Sequence, residues 1–251
     1  MEAIEHPSPL VAIINALIAS LGIHAVVPDH MVYVGLITLF ILFIGLAIRS
    51  RLSVDRPGTF QIVLEDLVSF LVSVLEDNMG PKGRQFLPLL GTLFVFILIG
   101  NLMGQIPGLG SPTSNINVPL ACAITLWLYY HYRGVRAHGI LSYIKHFAVM
   151  PGVPIALAPM IFIIEIISHV SRVLSLTLRL FGNIFGEHLV VLIIASIVPF
   201  ILPLPIQFLG LIVGPLQAFI FLTLGAIYLT AATHVDDHGD DYSGEQGHAA
   251  H

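Results

Sequence analysis

The chain has 251 residues, 56% of them hydrophobic and 10% charged, with a formal net charge of -5. A water-soluble domain carries roughly 25% charged residues, so this composition excludes an aqueous surface over most of the fold and requires one that faces lipid. The single cysteine, Cys122, excludes an internal disulfide and a cysteine-based metal site, and no basic patch with interleaved aromatics speaks for nucleic-acid binding.

Residues 10–27 (LVAIINALIASLGIHAVV) are apolar, but the preceding MEAIEHPSP is acidic and lacks the basic start of a secretory signal. The segment is expected to be retained, lying at the interface or partly buried. A helix needs about 20 apolar residues to cross the hydrocarbon core. Residues 31–48 are a first such span, 86–106 a second, and 117–132 a shorter third. Trp127, Tyr129, Tyr130 and Tyr132 gather near one end of the third, as expected at a membrane–water interface. Residues 59–77 carry Glu65, Asp66, Glu76 and Asp77 opposite an apolar face, the pattern of a surface amphipathic helix. Pro81, between Gly80 and Gly83, then breaks the chain.

From Pro151 to Thr233 the sequence is almost continuously apolar, with a break at PFILPLP, residues 199–205. That divides it into arms at about 152–198 and 204–232. The first arm would be roughly 70 Å long as one helix, more than twice the bilayer core. Pro154 and Pro159 are expected to break its start, leaving a helix over about 160–198 that must tilt steeply. The fold class is thus all-α and membrane-embedded: about five embedded helices, the last two forming a long tilted hairpin. Residues 1–30 precede the membrane domain, 31–232 form it, and 233–251 are a polar, acidic tail expected to be disordered. Arg49, Arg51, Arg56, Lys82 and Arg84 lie between spans one and two; Arg133, Arg136 and Lys145 follow span three. The positive-inside rule makes both loops cytoplasmic, with the N-terminus outside and the acidic tail inside.

Two arginines do not fit that loop pattern. Arg172 and Arg179 fall inside the long apolar arm, where a charge costs several kcal/mol. Glu165, His169, Arg172, Arg179, Asn183 and Glu187 follow one another at spacings of 4, 3, 7, 4 and 4. At about 100° per residue they project within about 40° of one line. Leu176 fills the gap on that line, Ser168 and Ser175 flank it, and His188 falls off it by more than a quarter turn. One reading is a buried seam with Glu165 and Arg172 paired directly or through His169. The other is a water-lined pathway for mobile charge. Two arginines against two glutamates leave open which arginine has its partner outside the chain. Asn101, Gln105 and Gln207 read as interhelical hydrogen-bonding groups, while Gln217 stands isolated in GPLQAFIFLTLG, where an aqueous contact would serve it.

The segment SLTLRLFGNIFGEHL, residues 175–189, resembles the signature of subunit a of F-type ATP synthases, the stator subunit beside the rotating c-ring. FILIGNLMGQIPG (96–108) is similar to that family's second-span motif and PLQAFIFLTLGAIYLT (215–230) to its last helix. The resemblance covers most of residues 31–232. It implies a non-catalytic, proton-conducting subunit of a bacterial plasma-membrane complex, working with the c-ring and the b subunits of the peripheral stalk and needing no cofactor. It implies that Arg179 is the essential arginine facing the c-ring carboxylate, with Asn183 and Gln217 beside it. Glu187 and His188 fall where the family places an ionisable residue of the outer half-channel, and Glu165 and Ser175 fall on the inner side. His169 and Arg172 share the seam. Some members carry His or Glu seven residues before the last-helix glutamine; here that position is Gly210, so the outer path must draw its titratable groups from elsewhere, with Glu187 and His188 as the candidate. A secondary transporter would show an internal repeat with paired broken helices, and none is visible. Neither HExxH nor GxSxG occurs, which argues against a membrane hydrolase. His234 and His238 with Asp236 and Asp237 read as a solvated tail rather than a metal site.

Overall fold

Glycines and prolines punctuate the chain where the helices begin and end. In the computed structural model, residues 9–20, 27–49, 52–53, 57–106, 109–140, 157–197 and 203–233 are described. They form α1 (Pro9–Ser20), α2 (Asp29–Arg49), α3 (Thr59–Met79), α4 (Leu87–Met103), α5 (Asn117–His138), α6 (Ala158–Ile197) and α7 (Pro203–Thr233). Short 3-10 turns, Pro81–Phe86 and Pro112–Ser114, precede α4 and α5. There is no β-strand among the described residues. Gly80 ends α3 at φ 68°, its N–H bonded to the Glu76 carbonyl, a backbone conformation that side chains resist. Prolines stand in the first turns of α4, α6 and α7, where no helical N–H is needed.

Among the described residues, four segments are long and apolar enough to cross a membrane: Asp29–Arg49, Pro81–Met103, Pro159–Ile197 and Pro203–Thr233. The chain is therefore an all-α, multi-pass membrane protein. Large apolar side chains stay exposed along α2 (Leu39, Phe40, Phe43) and α6 (Ile163, Ile167, Leu178). Water would not tolerate so extensive an apolar surface, and lipid does. As expected, α6 is one helix of 40 residues, about 60 Å long at 1.5 Å per residue, so it cannot stand upright within a hydrocarbon core of about 30 Å.

The core joins α4, α5, α6 and α7, with the second half of α3 against it. Leu90, Phe94 and Ile97 of α4 meet Leu126 and Tyr130 of α5, Leu176 and Leu180 of α6, and Phe221, Leu222 and Leu229 of α7. Small residues on α7 let these helices approach closely: a Cβ on Gly225 would lie 2.7 Å from Leu90 Cδ2. Leu71, Leu75 and Met79 dock the amphipathic α3 by its C-terminal half, while Glu65 and Asp66 on its first half are exposed. The partly buried placement expected for the N-terminal segment holds for α1. Val11 packs on Val32 and Tyr33 of α2, and the Asn15 amide both donates to the Val27 carbonyl (3.2 Å) and accepts from its N–H (3.1 Å).

One element departs from the sequence reading. α5 runs to His138, well past the expected end at 132, and stops at Gly139 with φ 79°. Its aromatics therefore lie within the helix, and Tyr130 is buried in the protein core. Of the expected breaks, Pro159 stands in the first turn of α6, while Pro154, most of the turn before α7 and the tail with His234 and His238 lie outside the described residues.

Candidate functional site

The polar seam of α6 faces the neighbouring helices. His169, Leu176, Thr177, Leu180 and Ile184 are buried there, and Arg179 sits half-buried at the edge. Beyond that edge Ser171, Ser175, Gly182 and Asn183 are exposed, and a Cβ added at Gly182 or Gly186 would meet nothing within 4 Å. The glycines there are not explained by packing within the chain. The seam's residues separate into three groups along the helix.

At the first, His169 Nε2 lies 3.3 Å from Glu165 Oε1. The opposite ring nitrogen, Nδ1, is 2.6 Å from the Tyr130 hydroxyl of α5. Arg172 places its guanidinium 5.1 Å from the centre of the Tyr228 ring of α7. The expected Glu165–Arg172 balance is thus indirect: the histidine takes the carboxylate and an aromatic face takes the guanidinium. Ser175, one turn on, is exposed.

In the middle group, Asn183 Nδ2 donates to Gln217 Oε1 across α6 and α7 at 2.9 Å. Gln217 is buried, and its own Nε2 has no hydrogen-bond partner among the described residues. The aqueous contact anticipated for Gln217 gives way to this bridge. Arg179 has neither an ion pair nor a hydrogen bond within the described residues, in contrast to Arg172 with its ring.

The third group is built around Glu187. Gln105, at the end of α4, donates its Nε2 to Glu187 Oε1 at 2.8 Å. The carboxylate fills the space a side chain at Gly210 would need, since a Cβ built there would overlap it. Gly210 is therefore no gap in the site; the room it leaves holds the carboxylate of the facing helix. His188 points to the same end of α4, its Nε2 beside Gly104. Behind this group, Asn101 donates to the Gly214 carbonyl at 3.1 Å and accepts from Thr113 at 2.8 Å, tying α4, α7 and the loop before α5 together. Both Asn101 and Gln105 thus act as the interhelical hydrogen-bonding groups expected of them. Gln207 is half-buried.

Sequence reasoning missed Tyr130, His131 and Tyr228. His131 packs its ring 4.8 Å from that of His169. The only signal for Tyr130 and His131 was an aromatic and histidine cluster inside an otherwise apolar span, which read as an interfacial belt; Tyr228 gave none.

These observations define a helical, multi-pass membrane protein that lines up its polar groups along one long helix and leaves the Arg179 guanidinium without a partner among the described residues. Comparison with known proteins agrees. The sequence profile of the ATP synthase A chain matches residues 30–230. ATP synthase subunit a of Citrifermentans bemidjiense is 42% identical over 225 residues, covering 89% of this chain and 96% of the relative. The subunits a of Geotalea daltonii and Geobacter sulfurreducens are 41% and 38% identical over 224 residues, with the same coverage. The chain belongs to the ATP synthase A chain family.

Proposed function

We propose that the chain is the proton-translocating stator subunit of an F-type ATP synthase, in a bacterial plasma membrane with its N-terminus outside and its C-terminus in the cytoplasm. The observation that carries this reading is Arg179, a half-buried guanidinium on an apolar helix with no partner among the described residues, beside a face of serines and glycines open to a neighbour. A guanidinium stays charged at any working pH and does not give up a proton. It draws a deprotonated carboxylate toward it, so a rotor carboxylate arriving from the c-ring releases its proton there. It also blocks proton hopping between the paths on its two sides.

Glu187, held by Gln105 and accompanied by His188, serves the outer half-channel, where a histidine can relay protons near neutral pH. Glu165, with Ser175, His169 and Arg172, lies on the inner side. The bridge between Asn183 and Gln217 holds α6 and α7 in register next to Arg179. The subunit performs no bond chemistry; the b subunits of the peripheral stalk hold it against the turning ring.

The test is Arg179→Ala in the assembled complex. Expected are normal assembly and ATP hydrolysis with no ATP-driven acidification of inverted vesicles and no ATP synthesis. Coupled synthesis retained in this variant would overturn the reading. Copurification of a two-helix protein with a mid-membrane Asp or Glu is the matching expectation for the partner.

A further inference from the structure

We propose that Tyr130 is a positioning residue of the inner path: it fixes the ring of His169 so that Nε2 addresses Glu165. The inference rests on the reading that Glu165 belongs to the inner half-channel. It adds α5, and Tyr130 in particular, to a pathway otherwise assigned to α6 and α7.

The geometry is a chain of three groups from two helices. Tyr130 and His169 are buried, whereas the Glu165 side chain keeps 31% exposure. Its carboxylate is thus the open end of the chain of groups, and the other two lie behind it. A neutral imidazole has one N–H and one acceptor nitrogen, and the proton belongs on Nε2, which faces Glu165 Oε1 at 3.3 Å. Nδ1 must then accept, and the Tyr130 hydroxyl at 2.6 Å supplies the donor. Without that hydroxyl the donor that selects this tautomer is lost, and the other tautomer turns a lone pair toward the carboxylate.

Other groups face the imidazole. On its own helix they are Glu165 and Arg172; from α5, Tyr130 and His131, whose ring centres lie 5.7 and 4.8 Å away; and from α7, Tyr228, which engages Arg172. The Arg172 charge is thus held on an aromatic face, leaving the carboxylate to the histidine. The consequence is functional: Glu165 keeps one oxygen on a fixed donor while the other takes and gives up the proton.

The test uses whole ATP synthase in inverted vesicles, where the bulk solution bathes the inner face. The initial rate of ATP-driven lumen acidification is measured against bulk pH for the parent, Tyr130→Phe, His169→Leu, His169→Gln and the Tyr130→Phe, His169→Leu double variant. One lost hydrogen bond predicts that Tyr130→Phe slows pumping roughly two- to tenfold and displaces the midpoint of the pH profile by about half a unit or more, while the complex still assembles. The double variant should be no worse than His169→Leu, because Tyr130 acts through the histidine. His169→Gln, which keeps an N–H donor, should recover part of the rate. A Tyr130→Phe profile that superimposes on the parent's overturns the proposal. So does additivity in the double variant, and so does failure of Tyr130→Phe to assemble, which would mark the hydroxyl as structural. If His169→Leu fails to assemble, the Tyr130→Phe profile decides alone. Arg179→Ala in the same vesicles separates the two readings: pumping that survives it removes the stator function itself, whereas lost pumping with an unaltered Tyr130→Phe profile removes only the role of Tyr130.

Discussion

Arg172 and Arg179 lie on the same helix, two turns apart, and both are half-buried. Their surroundings differ. Arg172 rests on the Tyr228 ring, close to a carboxylate already taken by His169, so the chain itself absorbs its charge. Arg179 borders open serines and glycines and finds no counter-charge among the described residues. A charge at membrane depth is therefore not in itself a sign of function. What distinguishes the two is whether the fold completes the charge or leaves it to be completed from outside.

The largest expected effect comes from removing the open charge. Arg179→Gln keeps a polar side chain of similar reach and should still lose coupled ATP synthesis by about 100-fold or more, the scale of a removed preorganised charge. Succinate-driven ATP synthesis in membrane vesicles measures it. Next is Gly210→Val, which drives a side chain into the space of the Glu187 carboxylate. Proton pumping should fall by roughly ten- to 100-fold, since general acid–base groups contribute about that much or more. Shortening the facing side chain with Glu187→Asp should recover part of it. Recovery in the double variant would show that the two positions share one space.

Asn183→Leu leaves the buried Gln217 amide without its bridge. An orphaned buried polar group costs about 1–3 kcal/mol, so thermal stability of the detergent-solubilised complex should fall by a few degrees with a several-fold loss of pumping. The smallest effect belongs to the completed charge. Arg172→Gln gives up a cation–π contact of about 1 kcal/mol and should leave coupled synthesis within about threefold of the parent. If Arg172→Gln were as damaging as Arg179→Gln, the contrast between the two arginines would collapse.

The elements were largely legible in the sequence, because apolar length and proline or glycine punctuation act locally. The spans at 31–48 and 86–106, the surface-type helix at 59–77 and the long arm of α6 all emerged close to their observed limits. α5 did not: its last turns carry Tyr132, Arg133 and Arg136, a polar run that ends a hydropathy window without ending a helix. The seam on α6 was equally legible, since helical projection depends only on spacing. Its partners were not. Gln105 reaches Glu187 across 82 positions and Tyr130 reaches His169 across 39, and no periodicity encodes such pairings. Gly210 illustrates the limit best. As a letter it marked a missing side chain; in three dimensions that absence is what admits Glu187.

Because α6 is unbroken from Ala158 to Ile197, it also works as a ruler. Glu165 and Glu187 are separated along its axis by about 33 Å at the helical rise, close to the thickness of the hydrocarbon core. A tilt of about 45° shortens the vertical separation to about 23 Å. Each carboxylate then sits a few ångströms below its own surface. If water reaches both, the membrane voltage drops across the slab between them, where moving one charge through 100 mV is worth about 2.3 kcal/mol. Arg179 stands inside that slab, about 12 Å from Glu187 and 21 Å from Glu165 along the axis. Under the proposed function, the length of one helix thereby concentrates the electric field at the place where the proton leaves one path and joins the other.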